Sequence, residues 1–576
     1  MGFQALLMVP LGIAALCLFT FLRTNLLYQI AIRDKRREKV PPILPHTIPW
    51  LGHVFGFLTP VPGLFFRKLL SWYPRDHGGA SMKLAGRDVR LIFSTTAVQA
   101  LMKAKTDVAN SDIMIKDMIC KGLGLSAQDY AKYVGHGRHL EHEVSSKHLL
   151  RPTGADVLLR SFSRFMKAGV MEESTRLAGA GDSKTGETVV LFPWLRSFMF
   201  KASATSFFGE HLFKEYPALM SDFWEFEPMF LDLLFGVPKF VNSVPHTLQK
   251  KVHRGMTAWV EANDRAMGDK VPSPDVPDVD WEPRWGSRLV RAREALFKSL
   301  GISAAGRASF ELGMMFALNA NAVPASGWLL IHILDPRTPD ILPRIMEEIQ
   351  EAVDVGDASG ALDFDLSTLL NQPLLQSMFH EVLRLYVDVL ITRGVYQDMK
   401  LPTEDGQRKL LLKKGTVAMA PSYVNHYDPN GYAGAPVDEF DGERFLVPAD
   451  DSDEATGQPD DANKAAKVSR KPYAFSLGAA GAKMIPLWRR AHHVPRPCLR
   501  QARGLYRGGA GAPQLRACAA RRGGLQDPAP PALVQRHGRH QPRGRRQGAG
   551  QAESRRSAAA KAESVLIVVA RGLETK

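Results

Sequence analysis

The chain has 576 residues, 45% of them apolar, and a net charge of +15, so it is long enough for one large core or several domains. Its four cysteines are scattered, which excludes a CxxC zinc site and argues against a disulfide framework: Cys17, Cys120, Cys498 and Cys518. The charge does not indicate nucleic acid, because residues 487–550 hold fourteen Arg, no Lys and one acid, and so carry most of it.

An apolar run over residues 5–22 opens the chain and is long enough to cross a bilayer. Five basic residues follow between positions 33 and 39, which places this side in the cytosol by the positive-inside rule. A cleaved signal peptide is the alternative, but no basic residue precedes the run and no small-residue cleavage site follows it. We therefore interpret residues 1–26 as an uncleaved, single-pass membrane anchor.

The segment after the anchor, residues 27–53, is basic and then rich in proline. Four prolines within nine positions enforce an extended chain that cannot be helical, and they predict a stiff hinge between anchor and body. Residues 81–84 and 90–94 then have a β-like pattern, and the sequence indicates mainly helices as far as about Val353.

Two polar segments predict loops, at residues 354–360 and 450–463. Taken with the helices and the short early strands, they indicate an α-rich α+β fold with a minor sheet. We expect a single body over residues 54–486.

Residues 309–334 are apolar except for two Asn, a Pro and a Ser: Asn319, Asn321, Pro324 and Ser326. A second membrane span is the rival interpretation, but polar groups at its centre would lack partners in lipid. We instead predict a long core helix that Pro324 kinks, with a polar notch beside Asn321 in which a buried ligand would sit. A merely bent core helix is the alternative.

The next predicted helix opens at Pro373, a position where proline is tolerated. Leu374, Met378 and Leu385 share one face, and Glu381 falls among them. A carboxylate in such a stripe must be paired, and Arg384 lies three residues on. The same Glu-x-x-Arg spacing occurs over residues 173–176, without the apolar setting.

Two further arginines complete a recurring series: Arg393 in Ile-Thr-Arg-Gly-Val, and Arg444 in Phe-Asp-Gly-Glu-Arg-Phe. An anchor, a proline hinge, a kinked helix with Asn, Glu381–Arg384 and Arg444-Phe445 resemble the cytochromes P-450 in that order, over residues 1–486. Residues 319–325 are similar to the sterol 7α/12α-hydroxylase and prostacyclin-synthase branch, in a fungal type of sequence.

The resemblance implies a haem-thiolate monooxygenase that binds heme b and oxidises a hydrophobic small molecule of sterol, terpenoid or fatty-acyl type. It implies an NADPH-dependent reductase as partner, in the endoplasmic reticulum membrane, with the body cytosolic. It also implies that Glu381, Arg384 and Arg444 form a buried core triad, that Arg393 pairs with a haem propionate, and that Arg138 is a second propionate partner. The Trp that usually precedes Arg138 in the family is absent.

The helix kink departs from the family pattern of an acid followed by Thr, which relays protons to iron-bound dioxygen. Asn321 and Ala322 occupy those places, and Ala322 has no hydroxyl. Either water and Asn321 serve instead, or the chain is a haem-dependent isomerase or dehydratase that needs neither proton delivery nor a reductase.

The family's haem loop, Phe-x-x-Gly-x-x-x-Cys-x-Gly, does not follow Arg444, since no Gly lies in the window before Cys498. Deleting the first base of the Leu487 codon permits Pro-Phe-Gly-Gly-Gly-Pro-Thr-Thr-Cys-Pro-Gly-Arg-Ala-Phe-Ala-Lys, with its Cys straddling the Val494 and Pro495 codons. We interpret residues 487–576 as an out-of-frame, disordered tail, with Cys498 as a remote substitute ligand.

Two alternatives stay open for the chain as written. The tail is either out of frame or a genuine arginine-rich segment that binds RNA or acidic lipid. The chain itself is either a crippled monooxygenase or a non-catalytic membrane protein, which would purify without haem.

Overall fold

The helices form most of the molecule in a computed structural model that describes residues 2–34, 36–57, 62–72, 78–179, 188–268, 279–355, 362–449, 472–478 and 480–484. The predicted tail and the predicted loop at 450–463 lie outside these residues. The α-helices are Gly2–Arg33, Val54–Phe57, Pro62–Trp72, Thr95–Met102, Asp112–Asp117, Ala127–Tyr133, His136–Ser145, Pro152–Gly179, Leu191–Phe208, His211–Glu215, Leu219–Phe226, Phe230–Leu234, Val244–Met267, Arg288–Ser299, Ala304–Asn319, Ala322–Ile333, Ile341–Glu351, Leu366–Leu369, Pro373–Tyr386, Ser422–His426 and Ala480–Lys483.

The largest sheet has five strands in the spatial order Gly79–Leu84, Arg87–Ile92, Val417–Pro421, Leu390–Val395 and Ala109–Asn110. Val417–Pro421 runs parallel to Arg87–Ile92, and the other pairs are antiparallel. The first of these strands contains the β-like run predicted at 81–84, and the second overlaps the run predicted at 90–94 and ends two residues before that run does. The other sheets pair Glu38–Lys39, Lys409–Leu412 and Met399–Pro402; Leu446–Pro448 and Tyr473–Phe475; Trp281–Glu282 and Gly286–Ser287; Val353–Val355 and Leu362–Phe364. The α-rich fold with minor sheets is confirmed.

The N-terminal helix continues to Arg33, seven residues past the predicted end of the anchor. Its last turns contact the hinge, where the Thr24 hydroxyl accepts from the His46 backbone N–H at 3.1 Å and Tyr28 is buried beside Leu44. With these contacts and no proline between residues 11 and 40, nothing ends the helix at residue 26. The hinge prolines then give the extended segment that was predicted, which pairs with Ser81 of the first strand.

Two helices among the described residues are long and apolar enough to cross a membrane. Pro10–Arg33 has 6% of its most apolar window buried, whereas Ala304–Ile333 has 44% buried. The second is much more buried within the protein, which agrees with the prediction of a core helix rather than a second span.

The central helix is interrupted, as predicted, between Ala304–Asn319 and Ala322–Ile333. Pro324 has no N–H to donate to the carbonyl of Ala320, and its ring crowds that carbonyl. The break therefore falls at Ala320 and Asn321, one turn before the proline, and not at the proline itself.

The first two residues of the loop predicted at 354–360 lie in a strand. Asp354 belongs to the strand Val353–Val355, which pairs with Leu362–Phe364. A strand of three residues is specified by its partner rather than by its own polar composition, so the sequence pattern missed it. Residues 356–361 lie outside the described part.

Aromatic rings fill the core around the first half of the central helix. The Phe316 ring lies 4.4, 5.8 and 6.2 Å from those of Phe230, Phe223 and Phe226. All four are buried to within about 1%. Side chains of this size dominate core energetics, so they hold the central helix against the helices that flank it.

Candidate functional site

A cavity of about 410 Å³ lies beside the central helix. Apolar side chains form much of its wall: Leu101, Met102, Ile115, Met118, Ile119, Phe310, Met314 and Ala317. Charged and polar groups enter from the other elements: Asp107, Asp112, Arg138, His139, Glu141, His142, Arg293 and Arg393. A concave, largely apolar space with a few convergent polar groups is typical of a ligand site.

Arg393 faces this cavity from the strand Leu390–Val395 and is buried. Its guanidinium donates to the neighbouring Thr392 carbonyl at 3.0 Å and to the Met102 sulfur at 3.3 Å, and no carboxylate of the described residues pairs with it. Burial lowers the pKa of Arg393, and no nearby charge opposes that effect. A buried cation without a counter-ion is costly, so this position is suited to an anionic ligand.

Arg138 reaches the same cavity from the helix His136–Ser145. Its guanidinium forms an ion pair with the Asp112 carboxylate, which also lines the cavity. The structure thus brings the two predicted propionate partners, Arg138 and Arg393, to one space. Sequence reasoning missed Asp112, because nothing local connects residues 26 positions apart.

The residues of the predicted polar notch lie at the helix break and not on the wall of this cavity. Asn319 is fully buried and satisfied: its amide donates to the Met315 carbonyl at 2.9 Å, and its oxygen accepts from the Ser203 hydroxyl at 2.6 Å. Asn321 is half-buried, and Ala322 is exposed. Neither residue lines the cavity, whose wall on this helix ends at Ala317, about one turn earlier.

Glu381, Arg384 and Arg444 form one buried ion cluster. Arg384 donates both Nε and Nη2 to the Glu381 carboxylate at 2.7 Å, and Arg444 donates Nε to Glu381 Oε1 at 2.9 Å. The three side chains are between 0 and 1% exposed. Burial lowers the pKa of Arg384, but the hydrogen bond with Glu381 and the charge of that carboxylate together outweigh burial, and the net pKa is raised. Arg384 therefore stays charged.

The same cluster fixes the segment that follows residue 426. Arg384 donates to the carbonyls of His426 at 2.9 Å and Val437 at 2.7 Å. Arg444 donates to four carbonyls of the segment, those of Ala433, Ala435, Pro436 and Glu439, at 2.7–3.2 Å. The cluster therefore shapes an irregular stretch of backbone that has little regular structure of its own.

The second Glu-x-x-Arg pair gives an internal comparison. Glu173 and Arg176 also bond at 3.0–3.1 Å, but the Arg176 side chain is 48% exposed. The spacing alone therefore does not distinguish a surface pair from a core pair. The apolar stripe around Glu381 is the signal that does.

The described residues contain no group of three His, Cys, Asp or Glu side chains placed to hold a metal ion. Cys17 and Cys120 are the cysteines within the described ranges, both half-buried, and neither lines the cavity. Cys498 and the Val494–Pro495 junction, where a ligand was predicted, lie outside those ranges.

A family model described as "Cytochrome P450" matches residues 312–479. The cytochrome P450 monooxygenase efuG of Hormonema carpetanum is 28% identical over 479 residues, which cover 80% of this chain and 81% of that protein. The 7-alpha-hydroxycholest-4-en-3-one 12-alpha-hydroxylase of Oryctolagus cuniculus is 26% identical over 452 residues, or 77% of this chain and 80% of that enzyme. The likeness to fungal sequences and to sterol hydroxylases that the motifs predicted is confirmed.

Among solved structures, the retinoic acid bound cyanobacterial CYP120A1 is similar over 71% of this chain and 82% of that chain, with 20% identity and a TM-score of 0.48.

Proposed function

This chain belongs to the cytochrome P450 family of haem-binding oxidoreductases, and we propose that its site serves to oxidise a hydrophobic small molecule of sterol, terpenoid or fatty-acyl type. The observation that carries the proposal is the apolar cavity beside the central helix with Arg393 buried and without a counter-ion on its wall. Haem held by a thiolate supplies the activation of dioxygen, and the chain supplies the binding and the orientation.

The charged rim of the cavity fits the anionic edge of a haem. Its propionates would pair with Arg393, which has no carboxylate partner of its own among the described residues, and with Arg138, which now pairs with Asp112. Arg138 would exchange the Asp112 carboxylate for a propionate, whereas Arg393 would gain its first carboxylate partner. Apolar side chains such as Ala317 and Met314 would exclude water from the porphyrin face.

We infer that the written chain lacks the iron ligand because residues from Leu487 onward are out of frame. The described cysteines, Cys17 and Cys120, do not line the cavity. The family match extends to residue 479, and the arginine-rich composition begins a few residues later. A frame shift at Leu487 accounts for both observations and permits the family's haem-loop sequence, whereas a genuine arginine-rich tail accounts for the composition alone.

The test is to express the written chain and a chain with one base deleted at the Leu487 codon, and to record reduced carbon monoxide spectra. We expect the thiolate-type band from the corrected chain only, since His492 or His493 would give a different spectrum. Transcript sequence across codons 484–500 is the matched check. A thiolate band from the written chain, or transcripts that keep the frame while native enzyme is active, would overturn the inference. A corrected chain without haem would favour the non-catalytic membrane protein.

Ala322 keeps a second function open, that of a haem-dependent isomerase or dehydratase. Ala322 follows the helix break and carries no hydroxyl for a proton relay, and Asn321 makes no side-chain hydrogen bond to the other described residues. A monooxygenase needs delivered protons and electrons, whereas an isomerase needs neither. Turnover without reductant therefore separates the two.

We further propose that the chain is a single-pass protein of the endoplasmic reticulum membrane, arranged as anchor, hinge and cytosolic catalytic body. The exposed apolar surface of the helix Pro10–Arg33 and the basic residues that follow it support this arrangement. A reductase in the same membrane would supply the electrons.

A further inference from the structure

A second charged cluster, which reaches the cavity wall through Glu141 and Arg293, links four helices. Arg293 forms an ion pair with Glu141 and donates Nε to Glu311 Oε1 at 3.0 Å. Arg307 donates to Glu294 Oε2 at 2.6 Å. The helices that meet here are His136–Ser145, Val244–Met267, Arg288–Ser299 and Ala304–Asn319. Sequence analysis did not anticipate this cluster.

Asp264 and Lys298 form the partly exposed edge of the cluster, and their charges cancel. Asp264, on the helix Val244–Met267, pairs with Arg307 and also accepts from Lys298 at 2.8 Å. Both Asp264 and Lys298 are partly exposed, so water also screens them. This edge therefore adds one negative and one positive charge.

The buried centre does not balance. Three carboxyl groups, those of Glu141, Glu294 and Glu311, face only two guanidinium groups, those of Arg293 and Arg307, and all five side chains are at most about 4% exposed. With every group ionised, the centre would hold one uncompensated negative charge. An isolated buried charge costs far more than a neutral carboxylic acid does.

The hydrogen bonds show where the extra charge would lie. Glu141 is satisfied on both oxygens, because Tyr133 donates its hydroxyl to Oε2 at 2.5 Å and Arg293 contacts Oε1. In contrast, Glu294 Oε1 and Glu311 Oε2 are fully buried and have no hydrogen-bond partner in the described part of the chain. A partnerless carboxylate oxygen is the natural site for a proton.

We propose that Glu294 and Glu311 form a buried proton-binding pair that holds one proton at neutral pH. The proton makes an O–H bond at one of the two partnerless oxygens and leaves to solvent when both groups ionise. No other group is oxidised, reduced or transferred. Because Glu141 and Arg293 also line the cavity, the charge of this pair sets the electrostatic potential on the cavity wall.

The electrostatics of the two groups agree with this assignment. Burial raises the pKa of Glu294 to about 8, which the charge of Arg307 opposes and that of Glu311 reinforces. Burial likewise raises the pKa of Glu311, against the attraction of Arg293. The groups that face the pair from its neighbours are thus Glu141, Arg293, Arg307 and Asp264, together with Tyr133 at the far side of Glu141.

The pair gives a pH dependence of known sign. Above the usual pKa of a glutamate the unfolded chain has lost this proton while the folded chain retains it. Stability therefore falls as pH rises through this window, and the fall ends above the folded pKa. One retained proton lowers the folding equilibrium constant about tenfold for each pH unit. The window runs from the ordinary glutamate range to about 8.

The test uses the full chain in detergent, without haem, in a Glu227→Gln background. This background is needed because burial raises the pKa of Glu227, a separate carboxyl, to about 8 as well. Infrared difference spectra between pH about 7 and about 9 report the C=O stretch of a protonated carboxyl that ionises in this window, and Asp388, whose pKa burial raises to about 6, is already mostly ionised at its start. We expect Glu294→Gln or Glu311→Gln to remove that signal, and Glu173→Gln, at the surface pair, to leave it.

Chemical denaturation of the Glu227→Gln protein provides the second readout. It measures how the folding constant depends on pH without a second substitution, so the test remains possible if a further glutamine variant fails to fold. We expect the folding constant to fall about fivefold between pH about 7 and about 8, because the proton is already half lost at the folded pKa. Absence of the infrared signal, its persistence in both glutamine variants, or a folding constant independent of pH in this range would overturn the proposal. None of these results depends on haem, so the proposed oxidation can fail independently.

Discussion

Glu381→Ala tests whether the buried ion cluster determines stability. Glu381 accepts four hydrogen bonds: Arg384 Nε and Nη2 at 2.7 Å, Arg444 Nε at 2.9 Å and the Asp441 backbone N–H at 3.1 Å. Truncation removes all four and leaves two guanidinium groups, each about 1% exposed or less, without a counter-ion. Their bonds to backbone carbonyls persist but supply no negative charge.

The expected loss of unfolding free energy follows from the burial of these two guanidinium groups. Breaking a buried pair by removing one partner costs about 3–5 kcal/mol, and two cations lose their partner here. A typical domain is stable by about 5–15 kcal/mol in total. We therefore expect Glu381→Ala to remove at least about 3 kcal/mol of unfolding free energy and to leave little soluble protein at 37 °C.

Glu173→Ala is the matched control, since it makes the same change at the same spacing. Arg176 is 48% exposed, and an exposed pair contributes about 0–1 kcal/mol. Glu173 also accepts from Trp194 Nε1 at 2.6 Å, which adds about 1 kcal/mol. Both variants are compared by urea unfolding of the full chain in detergent, followed by tryptophan fluorescence. If Glu381→Ala loses no more stability than Glu173→Ala, the cluster does not determine stability and the reasoning is wrong.

Three further predictions address the membrane, the cavity and the helix break. Protease treatment of intact microsomes should digest the body, because basic residues follow the anchor; a protected body would reverse the topology. Arg393→Met should raise the unfolding free energy of the haem-free chain, because it removes a buried unpaired charge, yet lower haem affinity of the frame-corrected chain about 10–150-fold. Arg138→Met, which leaves Asp112 unpaired at a partly exposed site, should not stabilise the haem-free chain, and equal effects of the two variants would contradict the assignment of Arg393. Ala322→Thr in the corrected chain should direct more electrons into product, since a positioned acid–base group raises the reaction rate about 10²–10⁴-fold. Unchanged coupling of electrons to product, together with turnover in the absence of reductant, would favour the isomerase.

The sequence predicted those features that depend on neighbouring residues. Pro373 at the first turn of a helix, the extended proline hinge and the break before Pro324 all follow from the fixed φ and missing N–H of proline. The apolar stripe around Glu381 likewise separated a core pair from the surface pair at residues 173–176. In each case one segment contains both the cause and its effect.

What the sequence did not predict depends on contacts between distant segments. Asp112 meets Arg138 across 26 positions, and Arg293 meets Glu141 across 152. No local pattern marks a charged residue as buried when its partner comes from another helix. The cavity beside Ala317 was not predicted for a related reason: the sequence showed the helix break but not the distant elements that close this space.

The positions of these contacts also separate the part of the chain that stabilises the body from the part that would supply the iron ligand. Glu381, Arg384, Arg444 and the carbonyls that they bind all precede residue 446, and the helices that enclose the cavity end earlier still. The inferred frame shift begins at Leu487. Because the ion cluster and the aromatic core are complete before that point, their contribution to stability does not require the missing ligand. The shift would therefore cost the chain its iron ligand without removing the contacts that stabilise the described body, which is why denaturation and haem spectra have to be measured on the same preparation.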